Sequence, residues 1–439
     1  MYNNRNILKI SYPIFLSLLA QNIIQVIDTA FLGRVGEVEL GASALAGIFY
    51  IAVFTLGFGY SMGSQILIGR RNGEGNYHQI SDIVVQGLLV LIPAAVLLIP
   101  IMGYVSHEWL PYLFESDEVT VAVNEYLDWR FYGFVFAFAN TMFRAFYIGI
   151  AGTKILTYNA LIMALTNVLF DYLLIFGNFG FPEMGIAGAA LASVISELVS
   201  TLFFVFYTLK TVDLDKYGFK KIRIELSVVK QVLNISVFMM AQYLLSVVVW
   251  MLFFVFIEKL GERPLAISNI VRSFYTVLIL PAQALGSATN TMVSNTIGAG
   301  RQTEVLNLLG RVTKISLGIT AAIMLIVFLF PRAFIHIYTT DSVLIAETIP
   351  PMYVLLTLLP IFSVGAVFFN AVSGTGNTRT ALMFEVLTLT FYLSYMWWII
   401  IYLQSSVAVC WTSEHIYWFF LMSFSFLYLR FGKWQNKKL

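Results

Sequence analysis

Gln21, Gln25 and Asp28 stand in one apolar stretch near the start of the chain, spaced i, i+4 and i+7. That spacing places the three polar side chains on one face of a helix. A second stretch carries Asn167 and Asp171, four apart, so a carboxamide stands one turn from a second carboxylate. If the two helices are neighbours, two acids and two or three amides converge. An ionised carboxylate in hydrocarbon is costly, which makes an acid at that depth a functional candidate by default. The chemistry takes one of two forms. Oxygens replace the hydration shell of a sodium ion, or two close carboxylates hold a proton because ionising both is unfavourable. Spacing alone does not choose between these, and Asp28 could instead cap its helix or pair with Arg34. Glu197 is a third acid in an apolar stretch, one turn beyond Ser193. It either extends a proton path or pairs with Arg130 or Arg144 as a bond between helices.

The elements that must position these groups are membrane spans. Of 439 residues, 59% are hydrophobic and 11% charged, whereas a soluble domain carries about a quarter charged residues. A helix needs about 20 apolar residues to cross a bilayer. Hydropathy predicts twelve such spans, near 7–32, 41–67, 82–105, 120–150, 156–177 and 185–209, then 230–257, 266–296, 308–330, 346–372, 380–403 and 407–430. The first is expected to be a retained span, because its apolar run is too long for a signal peptide. The fold class is therefore an all-α integral membrane protein. Kinks are expected at Pro13, Pro281 or Pro360, since proline removes a helix hydrogen bond.

Basic residues gather on alternate loops. Arg5 and Lys9, Arg70 and Arg71, Lys154, the run from Lys210 to Lys230 that includes Lys221 and Arg223, Arg301 to Lys314, Arg379, and Arg430 to Lys438 with Lys437 fall on one side. The other side holds Arg34, Lys259, Arg263 and Arg332. The positive-inside rule then puts both termini in the cytoplasm and requires an even number of crossings.

Sliding the chain by 224 or 225 residues aligns Ile10-Ser11 with Ile235-Ser236, Gly36-Glu37 with Gly261-Glu262, Gly73-x-Gly75 with Gly298-x-Gly300, Asp117 with Asp341, and Gly152 with Gly376. Ordered matches at one offset mark an internal duplication. Six spans per repeat give two lobes of the same orientation, related by a pseudo-twofold axis along the membrane normal with a cleft between them, an architecture suited to alternating access. The division expected is an N-terminal lobe over 1–210, a cytoplasmic linker over 211–229 and a C-terminal lobe over 230–439.

Other functions lack their signatures. The net charge of +2 offers no nucleic-acid stripe. Cys410 is the only cysteine, which excludes an intrachain disulfide or thiolate cluster. His78, His107, His336 and His415 fall in or near loops, with no HExxH, GxSxG or Walker motif, so an intramembrane enzyme is disfavoured. A channel lacks a filter-like repeat. No cofactor is called for beyond a coupling ion.

Three segments carry a likeness to a known family: Pro13 to Gly33 with Gln21 and Asp28, Asn167-Val-Leu-Phe-Asp171, and Gly185-Ile-Ala-Gly-Ala-Ala-Leu-Ala192. Ser373-Gly-Thr-Gly-Asn-Thr-Arg379 adds a loop in the second half. Together they resemble the multidrug and toxic compound extrusion (MATE) family over nearly the whole chain. The resemblance implies export of organic cations and amphipathic drug-like compounds in exchange for protons or sodium ions, by a monomer in a bacterial inner membrane. It places the cation site, including any bound sodium, on Asp28, Asn167 and Asp171, with Gln21, Asn140 and Thr141 as further polar groups. The middles of the seventh and tenth spans lack the acids of one family branch. Coupling is thereby expected through the N-terminal lobe, nearest the DinF-like branch, with Glu258 and Glu385 read as span-end residues in solvated or structural roles. Met239, Met240, Gln242, Tyr243, Trp250, Phe253 and Tyr275 are candidates for an adaptable substrate wall. The alternative is a flippase for lipid-linked oligosaccharide or another lipid, for which Arg130, Arg144 and Arg272 would have to face the cleft.

Overall fold

A computed structural model describes residues 2–112, 114, 116–220 and 225–435. Lys221, Arg223, Lys437 and Lys438, counted above among the basic loop residues, lie outside the described residues. The described chain is helical, without a strand. In hydrocarbon every backbone polar group must be satisfied within its own segment, and a helix does this for each residue between its ends.

The first half contains α1 (Asn4–Val35), α2 (Glu37–Glu74), α3 (His78–Trp109), α4 in two pieces (Asp117–Arg130 and Gly133–Gly149), α5 (Lys154–Leu174) and α6 (Gly185–Thr211). The second contains α7 (Leu226–Glu258), α8 in two pieces (Glu262–Leu278 and Leu280–Gly298), α9 (Val305–Leu329), α10 (Ser342–Gly374), α11 (Thr378–Met396) and α12 (Ser413–Phe431). Among the described residues nine helices are long and apolar enough to cross a membrane alone, and the two pieces of α8, bent by 45°, make a tenth. The two remaining expected spans coincide with the paired pieces of α4 and with α12. Pro281 sits in the first turn after the α8 bend, where its missing N–H costs nothing. Pro13 and Pro360 lie inside helices that run on without a break.

The repeat reappears in backbone conformation. Gly36 and Gly261 are the residues before α2 and α8. Gly75 and Gly300, which follow α2 and α8, have φ of +76° and +72°. Left-handed backbone at the end of a helix is the place where glycine escapes the Cβ penalty. Ser116 and Asp341 cap the helices that follow, accepting from the amides of Val119 and Val343 at 3.3 and 2.9 Å.

Two compact units form, one over Leu16–Met240 and the other over Met1–Phe15 with Ala241–Leu439. The expected division at 210 and 230 followed the polar loop, whereas the units part inside α1 and α7. The reason is visible in the first half of α7. Ser236 donates to the Tyr60 carbonyl at 2.9 Å, and Gly59 and Gly63 lie so close to Met240 and Ser236 that a Cβ would overlap them. In the first unit α2 packs on both pieces of α4, and α5 packs along α6. In the other, α10 is central, packed by α8, α9 and α12. Its core gathers Phe253, Val271, Leu355, Phe362, Met396 and Trp411. Large apolar side chains such as Leu97 and Leu165 are 63% and 64% exposed, as expected where the solvent is lipid.

Candidate functional site

α1 and α5 supply the carboxylates. Asn167 and Asp171 are both 0% exposed, one turn apart on α5, and Asp28 projects from α1 seven residues before its end. With its nitrogen turned toward the acids, the Asn167 carboxamide donates to Asp28 Oδ1 at 2.9 Å and to Asp171 Oδ2 at 3.2 Å. The two carboxyls are also within hydrogen-bonding reach of each other. Asp171 Oδ1 is buried without a hydrogen-bond partner, so one acceptor remains for a proton or a cation. Asp28 neither caps α1 nor pairs with Arg34, which has no ion pair among the described residues. Gln21 lies two turns earlier on α1, half-buried, outside this cluster.

The groups taken from the resemblance for the fourth helix turn elsewhere. Asn140 donates to the Glu197 carbonyl at 3.0 Å and accepts from Thr201 at 3.0 Å. Thr141 donates to the Phe138 carbonyl and accepts from Ser61 at 2.9 Å. They tie α4 to α6 and to α2, and their hydrogen bonds do not reach Asp28 or Asp171.

Glu197 forms a two-pronged pair with Arg130, at 2.9 Å from Nη1 to Oε2 and 2.6 Å from Nη2 to Oε1. Tyr50 of α2 donates to the same Oε1 at 3.4 Å, and the guanidinium lies 3.7 Å from the centre of its ring. Gly133 makes room for this, since a Cβ there would overlap both charged groups. Arg130 acts electrostatically on Asp28 as well, so the brace stands beside the carboxylate pair. Arg144 donates to Ser17 at 2.6 Å, and Arg272 lies 4.9 Å from the Phe254 ring centre. Each of the three arginines is thus engaged inside its own unit.

Sequence reasoning left one acid open between a solvated and a structural role and missed another. Glu385, read as a span-end residue, is 0% exposed and accepts from Ser246 at 2.6 Å and Tyr417 at 2.7 Å. Glu414 accepts from Tyr275 at 3.1 Å and Tyr392 at 2.9 Å. The available signal was a carboxylate flanked by Trp411 and Trp418 in an aromatic stretch. Of the substrate-wall candidates, Tyr275 is taken up by Glu414 and by the Trp418 indole at 3.0 Å. Met239, Gln242 and Phe253 are buried, and Met240, Tyr243 and Trp250 are half-buried. Glu385→Ala removes the acceptor of the half-buried Tyr417 hydroxyl and one of two acceptors of Ser246, which also donates to the Gln242 carbonyl at 2.9 Å. It is expected to cost about 1–3 kcal/mol. Thermal unfolding of the purified variant in detergent measures this; an unchanged midpoint would show that Ser246 and Tyr417 find other acceptors.

Comparison with known proteins adds four findings. The family model for MatE matches residues 13–173 and again 239–398, the second match starting 226 residues after the first (239 against 13). A probable multidrug resistance protein NorM of Thermotoga maritima is 23% identical over 438 residues, 99% of this chain and 93% of its own length. Another, from Agrobacterium fabrum, is 30% identical over 210 residues, 48% of this chain and 45% of its own. The outward-facing structure of a multidrug resistance MATE family transporter of the MOP superfamily superposes with a TM-score of 0.87 at 17% identity, covering 97% of this chain and 94% of that one.

Proposed function

The chain belongs to the MatE family, and from that premise we propose that it is a secondary active antiporter exporting organic cations and amphipathic compounds against protons or sodium ions. That it is a multi-pass membrane transporter follows from the family and its apolar helices. The multidrug resistance names of its relatives support efflux as its direction, and drug-like compounds as the substrate class are part of the proposal. The bacterial inner membrane, cytoplasmic termini and action as a monomer complete the proposal.

One observation carries the coupling reading: Asn167 joins the half-buried Asp28 to the buried Asp171 in a cluster that keeps one carboxylate oxygen unpartnered. The carboxamide has two faces. Nitrogen inward, it satisfies both acids, which suits a pair sharing a proton. Oxygen inward, it would repel both carboxylates unless a cation stood between them, and it would then complete an all-oxygen cage of the kind a sodium ion takes. Loading the cluster shifts the α1 and α5 helices and changes which side the substrate site faces. By linkage, substrate and ion each weaken binding of the other. The lipid-flippase alternative needed arginines facing a central cleft, and the pairing of Arg130, Arg144 and Arg272 inside their units weighs against it.

Ethidium export from vesicles, driven separately by a proton and by a sodium gradient, tests the proposal. Export that follows one gradient identifies the coupling ion. No export with either gradient would overturn the antiporter reading.

A further inference from the structure

Arg5, Arg311 and Lys314 line one open cleft of about 780 Å³ with Asn3, Asn4 and Ile315. All three cations are exposed. None forms an ion pair among the described residues, and no carboxylate lines the cleft. Arg311 is held in place, donating to the Tyr2 carbonyl at 3.3 Å. Asn4 opens α1, and Asn3 caps its first turn by accepting from the Asn6 amide at 2.8 Å, so the positive end of a 32-residue helix faces the same space.

The geometry points to a binding site for the phosphate of an anionic phospholipid headgroup. Three cations and a helix start, with no acid between them, fit a phosphodiester better than a neutral ligand. The level in the membrane selects the lipid over a soluble anion. Arg311 and Lys314 occupy the second and third turns of α9, a span, and Ile315 gives the cleft an apolar side. Basic side chains at the first turns of a span reach the headgroup layer, where anionic lipids concentrate. The lipid would pin the start of α1 against α9, both within the unit of Met1–Phe15 and Ala241–Leu439. This site is independent of the coupling cluster, which lies in the other unit.

The test uses the full chain in detergent, titrated with phosphatidylglycerol, with phosphatidylcholine of the same acyl chains, and with inorganic phosphate, binding being read from thermal unfolding and native mass spectrometry. Phosphatidylglycerol should raise the unfolding midpoint and remain bound where phosphatidylcholine does not. Combining Arg5→Gln, Arg311→Gln and Lys314→Gln should weaken phosphatidylglycerol binding on the order of a hundredfold, at roughly fivefold per charge. Arg430→Gln, an exposed basic residue outside the cleft, should leave it unchanged. If the triple variant does not fold, Lys314→Gln alone must still weaken binding about fivefold. Equal responses to the two lipids, an unaltered response in the cleft variants, or full reproduction of the effect by inorganic phosphate would each overturn the assignment.

Discussion

Asp28→Asn is expected to reduce export by at least about a hundredfold, close to 3 kcal/mol on the transport barrier, while the amount of protein in the membrane stays the same. An amide at 28 has nearly the shape of the acid and can still accept from Asn167, so the helices keep their packing. It carries no charge and exchanges no proton, which leaves Asp171 as the only acid of the cluster. Vesicle transport with matched protein levels measures the effect. Wild-type export by this variant would remove the cluster from the mechanism, whichever gradient drives transport.

The second large effect concerns stability. Glu197→Gln leaves the buried Arg130 guanidinium without its counter-charge and should cost about 3–5 kcal/mol, because a buried cation without its anion keeps its desolvation penalty. The Tyr50 ring compensates only in part, since a cation over an aromatic face is worth about 0.5–2 kcal/mol. Replacing both partners, Arg130→Met with Glu197→Leu, is expected to recover most of the loss. The double variant also separates two roles. Both Glu197 oxygens are taken by Arg130, and one also by Tyr50, the arrangement of a brace. The stable double variant should therefore still export; loss of transport with stability restored would show that the Arg130–Glu197 pair serves transport and not packing alone.

The membrane class and the spans were legible because each follows from local composition and the cost of charge in hydrocarbon. The meeting of Asp28 with Asn167 and Asp171 was instead implied by the family resemblance, since spacing within each helix does not make the two helices neighbours. What resisted reading depends on distant partners. The place of Asn140 is decided by the backbone of α6, whose Glu197 carbonyl takes its amide. Nothing near residue 140 announces that. The position of Glu385 near the start of a span leaves a solvated and a structural role open, and hydroxyls from α7 and α12, distant in sequence, decide for the second. Glu414 is buried by tyrosines from α8 and α11, far away in sequence. The break in α4 has no proline. Gly133 stands just after it, and that glycine is needed for a charge pair that only the folded chain brings together.

The partition inside α1 and α7 bears on what each repeat holds by itself. Phe15 ends the segment that α1 gives to one unit, and Met240, which ends the corresponding segment of α7, lies 225 residues on. The exchange is reciprocal: each repeat lends the opening of its first helix to the other's compact body. Neither repeat, cut out at the central loop, therefore carries all the residues of one compact unit.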